Sequence, residues 1–251
     1  MVALSTHRPF RNKMIVNYAL LKDPLTQQHT PKTVWFNSEN LKKMLDAYDS
    51  VYIKPNKGKK GKGIIRVKAF NSGYEISCDK VKKIVSKNEL KLELKKLISN
   101  PAKYLVQQGI DLATFKERPF DLRILMQKPY KSWQVSHTGA KVALDKDAAV
   151  TNRSQGAEIF PLQKVLSSYD QKTDSMATMR EIIDLSHRTC YTLGDHFPIR
   201  VIGLDIAVDK QGKLWLIEAN TLNPASNFEK VSDKISQDKF AKAKKVIKGS
   251  L

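Results

Sequence analysis

Apolar and polar positions alternate along residues 201–208, where Ile202, Leu204, Ile206 and Val208 form one side of a half-buried strand. Asp209, Lys210, Gln211 and Gly212 follow with the composition of a type I turn, and Leu214, Trp215, Leu216 and Ile217 begin a second strand. Pairing Val208 with Lys213 sets Asp205 opposite Leu216 and places Asp205, Glu218 and Asn220 on one face of the hairpin. Asp205 and Glu218 are then diagonal neighbours within reach of a common ligand. Two carboxylates and an amide make a hard-oxygen set of the kind Mg²⁺ accepts, and they read equally as solvated acids paired with lysines. A three-residue loop would flip the parity and separate the three groups.

The same pattern marks short strands over 33–36, 51–54, 64–67, 104–110, 120–126 and 133–142. Helical spacing begins at Asn12 and Lys13 with Ile15, Tyr18, Ala19 and Leu21, and is interrupted by Pro24 and Pro31. Ser38 reads as an N-cap ahead of Leu41, Met44, Leu45 and Tyr48. Residues 86–99 put Leu90, Leu94, Leu97 and Ile98 inward, and residues 174–193 do the same for Met179, Ile182, Ile183, Cys190 and Leu193, with Met176 also in the core. A basic helix over 232–248, carrying Ile235, Phe240, Val246 and Ile247, is expected to pack on the body.

Charge sharpens this outline. The 251 residues include 44 basic and 25 acidic side chains, a net +19. Such an excess suits a polyanion: nucleotide, nucleic acid, acidic peptide or anionic cell-wall polymer. Zinc-finger spacing, an RNA-recognition signature and a continuous basic helix are all missing, so nucleic acid is not indicated. No apolar run is long enough to span a bilayer, and residues 1–13 lack a signal-peptide core, which makes a cytoplasmic address the expectation. Cys78 and Cys190 match no metal or redox spacing and read as buried free thiols.

Several stretches carry chemistry. Lys54 ends a strand, and Gly58, Gly61 and Gly63 follow in a lysine-rich loop before the next strand. Glycines let backbone N–H groups approach phosphates, although the loop is not a Walker motif and also fits a mobile hairpin tip. Residues 106–110 read as a hinge for an adenine edge or as an interior strand leaving a sheet. Asp121 and Arg123 share a face, as a structural pair or as a phosphate site. His137 lacks a metal-ligand companion and reads as structural, while residues 150–156 form a polar loop of the kind that carries function.

Taken in order, Lys13, the strand ending at Lys54 with its glycine loop, Gln107 to Ile110, Asp121 and Arg123, Asn152, Asp205, and Glu218 to Asn220 resemble an ATP-grasp domain of the spore-coat-associated YheC/YheD-type branch. The resemblance covers residues 12–225. It implies an α+β fold in which two subdomains grip ATP, with residues 1–11 as an arm, 12–106 as the first part including the glycine-rich lid, and 107–251 as the C-terminal part. It implies that Lys13, Lys54, Gly58, Gly61 and Gly63 meet phosphates, that Gln107, Gln108 and Ile110 frame adenine, and that Asp111 reaches ribose. Asp205, Glu218 and Asn220 would hold Mg²⁺, and Arg123, Lys141 and Asn152 would serve catalysis. The implied reaction is Mg²⁺-ATP-dependent ligation of a carboxylate to an amine through an acylphosphate, on a peptide or cell-envelope-like acceptor. A kinase using the same site and a non-catalytic nucleotide or polyanion binder are the alternatives.

Three departures qualify the resemblance. Lys141 stands where relatives carry arginine, which exchanges a bidentate fork for a point charge. The Asn loop ends in Gly156-Ala157 rather than Gly-Gly. Relatives also carry a preceding domain of about a hundred residues, so a longer chain or a partner protein is expected to supply that acceptor-binding surface.

Overall fold

The computed structural model describes residues 7–58, 62–70, 72–78, 81–148, 151, 156–171, 174–222, 224 and 232–249. Gly61 and Asn152 lie outside the described residues. Helices α1 (Lys13–Leu21) and α2 (Pro24–Gln27) precede β1 (Thr33–Trp35), α3 (Ser38–Ala47) and β2 (Ser50–Pro55). Strands β3 (Ile65–Phe70), β4 (Gly73–Cys78) and β5 (Val81–Val85) lead through α4 (Leu90–Leu97) to β6 (Tyr104–Gln108). The remainder runs β7 (Thr114–Phe115), β8 (Arg118–Gln127), β9 (Gln134–Val142), β10 (Glu158–Phe160), α5 (Leu162–Leu166), α6 (Ser175–His196), β11 (Val201–Val208), β12 (Leu214–Asn220) and α7 (Lys234–Gly249).

The strands form two antiparallel sheets. The first has the order β1-β6-β2-β3-β4-β5, and the second runs β10-β9-β8-β11-β12 with β7 paired to β8. Strand alternation gives each sheet one apolar and one polar face. In the first sheet Val51, Ile53, Ile65, Val67, Ile76 and Val106 pack with Leu41, Met44 and Leu45 of α3 and Leu90 and Leu94 of α4. Tyr52, Arg66, Ser77 and Lys82 pair across the opposite face. In the second sheet Leu122, Ile124, Ile202, Leu204 and Ile206 are buried with Ile182, Leu185 and Leu193 of α6, and Val16, Ala19 and Leu20 of α1 join this second core. Strand β6 continues to Gln108 and so crosses the 106/107 boundary.

Several local expectations change. In α1 the side chains of Met14, Val16, Ala19 and Leu20 are buried while Ile15, Tyr18 and Leu21 are exposed. The helix is apolar nearly all round, so periodicity alone cannot choose its inner face. Asn37, not Ser38, caps α3, its Oδ1 accepting from Asn40 N at 2.7 Å. Leu97, Met176, Ile183 and Ile235 point outward. In α6 the inner face instead uses small hydroxyl residues, Ser186, Thr189 and Thr192; Ser186 satisfies its hydroxyl on Ile182 O at 2.6 Å. Residues 73–85, unassigned from the pattern, supply β4 and β5. Ala243 and Ile247 of α7 are buried, and Phe240 lies 5.0 Å from the His137 ring, so this helix packs on the second sheet and His137 is structural. Cys190 is a buried free thiol, whereas Cys78, expected to be buried, is only half-buried at the end of β4. Among the described residues no helix is long and apolar enough to cross a membrane.

Asp23 ties α2 to α6. Its carboxylate caps α2 by accepting from Leu25 N at 3.0 Å and also accepts from Arg188 Nε and Thr192 Oγ1. The Arg188 hydrogen bond, opposed by burial and aided by Thr192, holds this carboxyl down at about 2. Stabilisation from a depressed carboxyl is complete above its ordinary range and disappears as pH falls toward the folded value. Asp23→Asn should therefore cost about 1–3 kcal/mol at neutral pH. In thermal melts the gap between the two proteins should close as pH is lowered from 4 toward about 2; a gap that stays constant over that range refutes the assignment.

Candidate functional site

The polar faces of the two sheets enclose a cleft of about 1550 Å³. Lys13, Lys54, Gly58, Gln107, Gln108, Ile110, Asp111, Arg123, Lys141, Asp205, Glu218 and Asn220 all line it; Gly63 does not. Gly63 instead has φ +71°, a conformation that suits glycine in the return of the loop.

The cationic side is built at the start of α1. Asn12 caps the helix through Ile15 N, and Asn56 binds its first turn through Lys13 N and Met14 N at 3.2 and 3.0 Å. The end of β2 is thus stapled to α1, bringing Lys13 Nζ to Gly58 O at 3.1 Å. The same ammonium meets Glu218 Oε1 at 3.2 Å, so residues 205 positions apart touch across the cleft. Lys54 is only 6% exposed. Burial pushes its ammonium down to about 8, with Lys13 adding to the depression and Glu218 and Asp205 opposing it.

The anionic side depends on a register shift. Val208 pairs with Leu214 and Ile206 with Leu216, but Asp205 pairs with Glu218 and Gly203 with Asn220. The expected pairs, Val208 with Lys213 and Asp205 with Leu216, are replaced because Asp209 closes a longer loop. Its Oδ1 accepts from Gln211 N and Lys213 N at 3.0 and 2.9 Å, and its Oδ2 accepts from Trp215 Nε1 at 2.8 Å. A bulge at Ile217 then adds one residue and restores the parity. Asp205, Glu218 and Asn220 consequently share the cleft face, by a different route from the one expected.

Asp205 is the centre of an ion cluster. Its Oδ2 accepts from Arg123 NH1 at 2.7 Å and Asn220 Nδ2 at 2.9 Å, and its Oδ1 accepts from Lys141 Nζ at 2.9 Å. Lys141 also pairs with Asp121 Oδ1 at 2.8 Å, while Thr151 Oγ1 donates to Asp121 Oδ2. Arg123 therefore pairs with Asp205, not with its strand neighbour Asp121. Burial pushes Asp205 up, but Arg123 and Lys141 outweigh it and hold the carboxyl below the usual range. Burial raises Asp121 to about 6, with Lys141 opposing and Asp205 adding to the rise. Burial alone would lower Lys141, yet the two aspartates keep its ammonium above the ordinary value.

The donor set fits a hard divalent cation. Asp205 and Glu218 oppose each other directly, and Asn220, two residues after Glu218, adds an amide oxygen. Among the described residues no three His, Cys, Asp or Glu side chains gather around a metal position. The protein offers only part of a shell, as suits an ion that keeps water and phosphate ligands.

At the hinge, Gln108 N and Gly109 N donate to Lys32 O and Ser50 O, both at 2.8 Å. A Cβ on Gly109 would lie 2.0 Å from Ser50 Oγ, so only glycine allows this approach. The side chain of Gln107 donates to Thr33 Oγ1 at 3.1 Å, and that of Gln108 accepts from Lys32 N at 3.2 Å. Asp111 pairs with Lys210 at 3.0 Å. The sequence reading missed Tyr52, Arg66, Glu75 and Thr151, which also line the cleft. The signal for Arg66 was present: it alternates with Ile65 and Val67, the mark of a polar strand face.

A family model described as YheC/D-like ATP-grasp matches residues 3–245. The endospore coat-associated protein YheD of Bacillus subtilis is 29% identical over 231 residues, covering 88% of this chain and 50% of YheD. The chain thus spans about half the length of that relative. The VanG D-Ala:D-Ser ligase from Enterococcus faecalis has a similar structure, with a TM-score of 0.58 at 14% identity over 94% of this chain and 61% of VanG. The ATP-grasp ligase PsnB, solved with a precursor variant, Mg and ADP, has a TM-score of 0.52 at 14% identity over 93% of this chain and 59% of PsnB. At such identities the structural likeness establishes an α+β ATP-grasp fold. With the family match over nearly its whole length, the chain belongs to the YheC/D-like ATP-grasp family.

Proposed function

We propose that the protein is an ATP-dependent carboxylate–amine ligase that forms an acylphosphate on a peptide or cell-envelope-like acid. The observation that carries this reading is the Lys13–Glu218 contact of 3.2 Å, which joins the cationic and anionic sides in one cleft. ATP would lie between the sheets, its phosphates toward Lys13, Lys54 and the loop from Gly58. Gln107, Gln108 and Ile110 would frame adenine, though Gln108 N and Gly109 N are bonded within the protein and would not themselves donate to it. Asp205, Glu218 and Asn220 would hold Mg²⁺, which when bound neutralises phosphate oxygens.

The acceptor carboxylate oxygen attacks the γ-phosphorus and ADP leaves; an amine then attacks the acyl carbon and phosphate leaves. Arg123 and Lys141 stabilise charge on the transferring group; Asn152, the third catalytic candidate, lies outside the described residues. Positioning and charge neutralisation carry such transfers, without a covalent protein nucleophile. The likeness to VanG, a D-Ala:D-Ser ligase, and to PsnB, solved with its precursor, supports an amino-acid or peptide acceptor. The net charge of +19 supports an anionic one.

Protein, Mg²⁺-ATP and a panel of acids incubated with hydroxylamine should yield a hydroxamate. Asp205→Asn and Glu218→Gln should each cut its rate about 10²-fold or more, with circular dichroism unchanged. Phosphate release without hydroxamate from any acid overturns ligation, and a stable phosphorylated product found by mass spectrometry makes the protein a kinase instead.

Lys54 gives a pH signature. In the free protein its ammonium is held near 8, so stability rises with pH between that value and the ordinary lysine range, where the unfolded chain binds the extra proton. A bound phosphate favours the charged form. Nucleotide affinity should weaken as pH rises through about 8, and binding there should take up a proton. Calorimetry in buffers of different ionisation enthalpy reads this uptake; its persistence in Lys54→Met refutes the assignment.

A further inference from the structure

Arg66 and Lys82 belong to one cross-strand row on the cleft face of the first sheet, with Tyr52 and Ser77. Both reach into the other half of the molecule. Arg66 NH1 donates to Ala148 O at 3.2 Å and Lys82 Nζ to Asp147 O at 2.9 Å. These carbonyls belong to the segment that leaves β9 of the second sheet. Arg66 NH2 is held by Glu75 Oε1 at 2.7 Å, and its side chain is 15% exposed. Its two terminal nitrogens thus bridge β4 and the segment after β9.

Three residues beyond Ala148, Thr151 Oγ1 donates to Asp121, Asp121 pairs with Lys141, and Lys141 pairs with Asp205. Arg66 of the first sheet thus holds the segment after β9, and Thr151, three positions farther along the chain, belongs to the bonded groups around Asp205. We propose that Arg66 is a positioning residue: by gripping the Ala148 carbonyl it sets Thr151 and, through Asp121, aims Lys141. Docking of the first sheet on the segment after β9 and placement of Lys141 are then one event, with Lys82 as a second, outer tether. A planar fork serves Glu75 and Ala148 together, which a lysine ammonium at this position reproduces only in part. The effect on turnover rests on the ligase reading; the tether itself does not.

Hydrogen exchange of the nucleotide-free protein tests the tether. Arg66→Ala should speed exchange over residues 143–148 by about tenfold or more, and Lys82→Ala by less, with α6 unchanged. In the hydroxamate assay Arg66→Ala should lower kcat at least about tenfold while half-saturating ATP moves less than about threefold, and Arg66→Lys should recover part of the loss. Unaltered exchange in both alanine variants overturns the proposal. So does a parallel loss of ATP affinity and turnover, which would make Arg66 a nucleotide ligand. Should Arg66→Ala fail to fold, Glu75→Gln and Lys82→Ala carry the test on the same exchange readout. Wild-type protein that forms no hydroxamate sinks the ligase reading, while the exchange result still decides whether the tether exists.

Discussion

A single buried carboxylate organises the cleft. Asp205 joins Arg123 on β8, Lys141 on β9 and Asn220 on β12, so one side chain draws three neighbouring strands together. Ions removed from water cost several kcal/mol each unless they are closely paired and hydrogen-bonded. Asp121, Lys141, Arg123 and Asp205 meet that demand only as a group, since Lys141 divides itself between two aspartates. The polar face of the second sheet follows from this mutual neutralisation.

The first sheet is joined to the rest of the chain by polar contacts, among them Lys13 with Glu218, Arg66 with Ala148 and Lys82 with Asp147. Asn56 fastens the end of β2 to the first turn of α1. Gly109 lets β6 press against Ser50 as the chain leaves the sheet. Each half keeps its own apolar cluster. The contacts of Lys13, Arg66 and Lys82 between them are charged or polar, and such contacts depend on solvent more than packed hydrocarbon does.

The pattern of residues located most of the strands, both cationic groups and the acidic hairpin. These positions were legible because alternation reports which residues share a face, and because glycines and prolines punctuate the chain. It failed where the physics is not periodic. Apolar residues on every side of α1 left its inward face undefined. Ser186, Thr189 and Thr192 in the inner face of α6 look like surface residues, yet all three are buried, Ser186 bonding back to Ile182 O and Thr192 bonding across to Asp23. Pairing across strands was also out of reach: Arg123 has a nearer candidate in Asp121 along the chain, but finds Asp205 on the neighbouring strand. The family resemblance supplied the order of the pieces; the distances came only with the fold.

The extra residue at Ile217 has an evolutionary reading. A four-residue connection without a bulge and the observed longer loop with one both deliver Asp205, Glu218 and Asn220 to the same side. Either change made alone would turn Glu218 and Asn220 into the apolar layer. Insertions and deletions in this hairpin should therefore be inherited in compensating pairs, so that turn length drifts among relatives while the phase of the acidic strand is conserved.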